Sequence, residues 1–259
     1  MAEVFSKNPG VMAIRLNTRS EGWPLNKIGL ASLLVVFGLI AAESARLGVA
    51  GLIVELAQVE MDRWNISIRP PPMTEIDRVA GYFSDSLGYM PDNPWALEGL
   101  GRLDLARMRA SRAPAEALAF ARDARKQFRE ALRQRPTSPF LWANLALSKL
   151  YLDEIDAEFF AALRYADELG PWEPSTQQVV LFAGLAAWER LEAEQRESLA
   201  RVVERGSQRN ALKMFEIVKN FRRIDLVCGL SGYHAIAGAE CRKTAESAAA
   251  RIPTARGKD

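Results

Sequence analysis

Asp153, Glu154, Asp156 and Glu158 place four carboxylates within six positions, and paired carboxylates are the groups that hydrolyse glycosidic bonds. They fall, however, in a break between two helical segments, where solvated charge is the ordinary outcome, so no catalytic role is assigned to them. His234 is the single histidine; as a general base it lacks a recognisable nucleophile, and a zinc site would lack ligands at metal-binding spacing. No metal and no cofactor are therefore expected. Cys228 and Cys241, the only two cysteines, lie thirteen positions apart. They suit either a disulfide in an oxidising compartment or a pair of reduced, buried thiols. The six tryptophans, Trp142, Trp172 and Trp188 among them, could stack on sugars, but each lies on or beside an apolar stripe and reads first as interhelical packing. Gly-x-Ser-x-Gly, phosphate-cradling glycine loops, His-Glu-x-x-His and Cys-x-x-Cys are all missing, so the expectation is a protein that is not an enzyme.

The elements that would position these residues follow from composition and patterning. In a 259-residue chain, a hydrophobic fraction of 49% is enough for one sizeable core and an anchor. Net charge is +2, which predicts no nucleic-acid partner. The charge is nonetheless segregated. From Leu97 to Pro136 there are ten Lys+Arg against five Asp+Glu, from Leu150 to Glu204 four against twelve, and from Arg205 to Asp259 eleven against five. Solvated helix faces account for such blocks, and a polar partner surface is the alternative.

Residues Ile28 to Ala42 are all apolar or small except Ser32, and Lys7, Arg15, Arg19 and Lys27 precede them. Fifteen helical residues rise roughly 22 Å, so spanning a ~30 Å hydrocarbon core needs tilt, thinning or snorkelling by Lys27, Glu43 and Arg46. The long preceding segment and the lack of a clean Ala-x-Ala site favour an uncleaved anchor over a signal peptide, and the near absence of polar residues argues against a buried core helix. The basic flank predicts a single-pass bacterial inner-membrane protein with a cytoplasmic N-terminus and a periplasmic domain. Beyond the anchor, Leu47, Ala50, Val54, Ala57, Met61 and Trp64 form a heptad-like stripe, fit either for self-association or docking on a membrane partner, or for packing on the chain's own domain. Arg69-Pro70-Pro71-Pro72 then ends the stem.

Downstream the periodicity is helical throughout. Phe83, Ser86 and Pro91 recur as Phe128, Ala131 and Pro136, and again as Leu163, Ala166 and Pro171, spaced 45 and 35 residues apart. That is the pattern of the second helix of a tetratricopeptide repeat, with an insertion in the first copy relative to a usual length of about 34. First helices are predicted over 94–108, 139–152 and 174–188, and second helices over 114–135, 155–169 and 192–205. A helix over 208–221 and a short one over 231–241 would cap the stack. The fold class is all-α, an N-terminal single-pass membrane helix followed by a tetratricopeptide-like α-solenoid. Its expected parts are a cytoplasmic tail (1–27), anchor and stem (28–64), Pro-rich linker (65–73), repeats (74–206), helical cap (207–246) and flexible tail (247–259). Asn144 and Tyr151 are the candidates for the partner-binding groove.

Specific strings carry a family resemblance as well. Ala45-Arg-Leu-Gly48, Arg63-Trp64, Asp156-Ala-Glu-Phe-Phe-Ala-Ala-Leu163, Leu169-Gly-Pro-Trp-Glu-Pro174, Ala186-Ala-Trp188 and Arg223-Ile-Asp-Leu-Val-Cys228 make the chain resemble the VpsP-type polysaccharide-biosynthesis proteins. The resemblance covers most of the chain, and the Leu-Gly-Pro-Trp-Glu-Pro string is its most specific part. It implies a non-enzymatic accessory of exopolysaccharide synthesis or export, partnered by a polymerase, co-polymerase or export protein, with glycan contact as a further expectation. It supplies no catalytic residues.

Overall fold

The computed structural model describes residues 27–66 and 70–250. The basic residues upstream of Lys27, Arg69 of the linker and the tail from Arg251 lie outside the described residues. Among those described the fold is all-helical, with ten α-helices and no strand. The chain divides into two compact units, up to Ser44 and from Ala45.

The first unit holds the start of α1, a helix over Lys27–Ile66. Its large apolar side chains from Leu30 to Ile40 are exposed, unlike those of a core helix. By length and composition this helix is fit to cross a membrane.

The second unit contains the stem of α1 and α2 (Met73–Tyr89), α3 (Pro94–Ala110), α4 (Pro114–Gln134), α5 (Pro139–Tyr151), α6 (Ala157–Leu169), α7 (Pro174–Ala186), α8 (Ala193–Gly206), α9 (Ala211–Asn220) and α10 (His234–Ala250). Proline at the first turn opens α3, α4, α5 and α7, where its missing N–H costs no hydrogen bond. Asn93, Ser138 and Asp156 cap α3, α5 and α6 by accepting from the N–H groups of Trp95, Leu141 and Phe159. Several boundaries move from their expected places: α3 runs two residues past 108, and α9 starts at Ala211 and not at 208. Asp153 takes a left-handed φ of 56° and Asp156 is extended, so α6 starts at Ala157 and not at 155. Trp188–Arg190 form a separate 3-10 turn, so α7 ends two residues early. The short helix expected over 231–241 is a 3-10 turn at Ser231–Tyr233 followed by a full helix through Ala250, which takes in the first four residues of the expected flexible tail.

Neighbouring helices pack in chain order from α2 to α9, and α3, α5, α7 and α9 also touch in series. Two of the three recurring large residues, Phe83 and Phe128, seat against backbone, and so does Leu199 of α8. A Cβ on Gly99 would lie 2.2 Å from the Phe83 ring, one on Gly101 2.7 Å from the Phe128 ring, and one on Gly184 2.7 Å from Leu199. Glycine on α3 and α7 thus leaves room for the large side chain to seat against backbone, whereas α5 has no glycine and the third recurring residue, Leu163 of α6, is only partly buried. The stem takes the corresponding place beside α2: Ala50, Val54, Ala57 and Met61 are buried, the last three in one cluster with Ile76, Val79, Phe83 and Leu103. Ser86 Oγ donates to the Ala50 carbonyl at 2.9 Å and accepts from Asn93 Nδ2 at 3.1 Å, tying stem, α2 and the next turn together. The stripe read from the sequence is therefore spent inside the domain, except that Leu47 is exposed.

At the far end, Tyr233 is buried and its hydroxyl donates to the Val203 carbonyl at 2.7 Å; burial pushes its pKa up to about 12. A Cys228–Cys241 disulfide, with Cα atoms 5.4 Å apart, pins α10 to the turn before it.

Candidate functional site

α3, α5 and α7 touch in series, and a cavity of about 380 Å³ opens against them. α3 contributes Arg102 and Arg109, α5 contributes Phe140, Asn144 and Leu147, and α7 contributes Val179. Met61 and Trp64 of the stem and Pro71 close one side. Arg102 lies 5.6 Å from the Phe140 ring centre, and its Nη1 donates to the neutral Gln58 amide at 3.3 Å. Arg109, two helical turns on, is exposed. Neither arginine pairs with a carboxylate among the described residues, and no carboxylate lines the cavity. An apolar pocket with two guanidinium groups that no described carboxylate neutralises is suited to an apolar segment that also carries negative charge.

The two groove candidates separate here. Asn144 lines the cavity, although its Nδ2 is committed to the Phe140 carbonyl at 2.8 Å. Tyr151 does not line it; it packs on the core formed by α3 to α7. Arg102, Phe140 and Val179 escaped the sequence reading because which turns of each helix border a cavity depends on the neighbouring helices, and periodicity describes one helix at a time.

The acidic turn is a latch. Lys149, on α5, is only 1% exposed, and its Nζ lies 2.8 Å from Glu158, 2.9 Å from Asp156 and 3.3 Å from Glu154. From α4, Arg125 pairs with Glu154 and Arg129 with Glu158. Burial alone would lower the Lys149 pKa, but the three carboxylates outweigh it and hold it above its ordinary value. A cluster with every acid bound to a cation is a poor acid–base pair and a good clamp between α4, α5 and α6.

A second cleft of about 590 Å³ lies between α6, α7 and α8, with a floor that includes Phe160, Leu163, Val180 and Leu199 and a rim bearing Arg164, Asp167, Glu168, Glu194 and Arg201. Its rim carries both signs and selects no charge. Trp142 donates to the Pro136 carbonyl and stacks near Tyr165, and Trp188 lies under Arg196 and Arg223. Trp95 and Trp172 stay 51% and 44% exposed. His234 is exposed at the start of α10, and no group of three metal-ligating side chains converges among the described residues. Compared with protein-family models and with curated proteins, the chain matches none of either.

Proposed function

We propose that this protein is a membrane-anchored scaffold built on a tetratricopeptide-like helical repeat, serving without catalysis in the bacterial envelope machinery that makes or exports an exopolysaccharide. The observation that carries the reading is the cavity against α3, α5 and α7, apolar within and cationic at Arg102 and Arg109. The concave walls of helical repeats hold segments of other proteins. Support for the repeat comes from the seating of Phe83 and Phe128, two of its three recurring large positions, on Gly99 and Gly101 of α3. The exposed apolar stretch of α1 and the disulfide favour an inner-membrane anchor with the domain in the oxidising periplasm. The pathway itself rests on the resemblance to VpsP-type proteins, whose partners would be a polymerase, a co-polymerase or an export protein.

A photoreactive residue placed at Phe140 or Val179, activated in native membranes and followed by mass spectrometry, tests this. Recovery of a polysaccharide polymerase, co-polymerase or exporter is expected, and the double charge reversal Arg102→Glu, Arg109→Glu should cut that yield at least tenfold. Recovery of unrelated envelope proteins would retire the polysaccharide assignment in favour of a peptide-binding adaptor. Exposed Trp172 favours a second reading, direct glycan binding. Titration with the native polymer would then quench tryptophan fluorescence, and an unchanged signal at millimolar repeat units would remove it.

A further inference from the structure

The stem of α1 has two apolar faces, and the domain covers one of them. Roughly 150° around the helix from the buried face, Val49, Leu52, Leu56 and Val59 form a second stripe, exposed at 38%, 68%, 61% and 49%. Their spacing of three, four and three is a heptad seam, and Glu55, Gln58 and Asp62 fall off it. In the sequence the same count continues upstream through Ala45, Ala42, Gly38, Val35 and Ala31. All nine seam positions from Ala31 to Val59 are small or aliphatic, while Glu43, Ser44 and Arg46 fall between them.

Side-chain size along the seam changes where the apolar run ends. Up to Ala45 the seam is alanine and glycine apart from Val35; beyond it come valine and leucine. Helices associating within lipid gain nothing from hiding large apolar groups and need small residues for close backbone contact. In water, burying large aliphatic side chains is what drives association. The seam satisfies each requirement on its own side of the apolar boundary.

We propose that two copies of this chain associate in parallel along this second stripe of α1. A second copy fits better than another partner because its own anchor brings an identical seam to the same depth and in the same direction. In such a pair Glu55 of one copy approaches Glu60 of the other, and Glu60 already has Arg63 at 3.1 Å and Arg78 at 3.4 Å to offset the like charge. Arg63, the next seam position, ends the contact.

Cysteine crosslinking of the full chain in native membranes tests the seam, with Cys228 and Cys241 left bonded to each other. Leu52→Cys and Leu56→Cys should form a disulfide-linked dimer at least tenfold faster under mild oxidation than Gln58→Cys and Asp62→Cys. Equal rates, or no dimer from any of the four, would overturn the proposal. So would crosslinking of Leu52→Cys to a different envelope protein, or labelling of both seam positions by a lipid-phase probe with no dimer formed. Because these side chains are exposed, the Leu52→Glu, Leu56→Glu double variant should keep its helix content by circular dichroism while the protein mass in detergent micelles falls by half. A double variant that stays dimeric also overturns it.

Discussion

Lys149 and Asp104 are both buried ions on odd-numbered helices, and their surroundings differ in one respect. Lys149 meets three carboxylates on a turn that reaches water, where Asp156 is 54% exposed, and two arginines from α4 balance the surplus negative charge. Asp104, with a side chain 8% exposed, has one arginine, Arg107 at 2.9 Å, which it shares with Asp77 at 2.7 Å. Asp123 adds a like charge. The result shows in the proton equilibria. Arg129 and Lys149 hold Glu158 below its ordinary value, and Glu154 and Asp156 are lowered as well against the opposing effect of burial. Burial outweighs the shared arginine at Asp104 and raises it to about 6. A buried ion is well tolerated when several counter-charges converge on it and keep some access to water; when one counter-ion is divided between two acids, desolvation remains uncompensated.

The largest effect should come from Lys149→Met. It leaves three acids around an apolar tip, and removing one partner of a buried pair costs about 3 kcal/mol once the partial exposure of those acids is allowed for. Urea unfolding at pH 7 measures it, and a loss below about 0.5 kcal/mol would erase the contrast between the two sites. Arg107→Met should cost less, about 1–2 kcal/mol at pH 7, because Asp104 can answer by taking up a proton. The same variant should be closer to the parent at pH 5.

Asp104→Asn sharpens the comparison from the other side. Between 3.8 and about 6 the folded parent holds a proton that the unfolded chain has released, so its stability falls as pH rises through that window. The asparagine variant lacks this slope and should be about 1 kcal/mol more stable than the parent at pH 7.5, with no advantage below pH ~4. The latch acids have the opposite sign. Their contribution is complete above the ordinary values of 4.5 for Glu154 and Glu158 and 3.8 for Asp156, and is lost as pH falls through their lowered folded values. The gap between parent and Lys149→Met should therefore narrow on acidification below about pH 4. Thermal melts across pH 3–8 would show it, and a gap that stays constant would mean that the carboxylates are not the partners that matter.

Much of the helix layout could be read from the chain itself. Prolines 94, 114, 139 and 174 mark helix starts because proline lacks an N–H that the first turn does not use, and helical spacing of apolar residues marks their inward faces. The apolar run from Ile28 announces a membrane-competent helix for the same reason: composition and length are local properties. Those statements concern one element at a time. What each face meets was decided by packing. The Ala50–Val54–Ala57–Met61 stripe could have served self-association or the chain's own domain, and only its burial against α2 and α3 chose between them, leaving the Val49–Leu52–Leu56–Val59 stripe open. Likewise the acids near residue 156 look alike in sequence whether they face solvent or bind Lys149. A hydrogen bond of 2.8 Å between residues nine apart depends on the exact turn, here set by the left-handed Asp153, and helical periodicity carries no information about such a turn. Tyr151 missed the groove while Asn144 reached it although, seven residues apart, they share nearly one face of α5; Tyr151 lies about 10 Å farther along the helix, and how far a cavity extends along its helices is set by their neighbours, which periodicity does not describe.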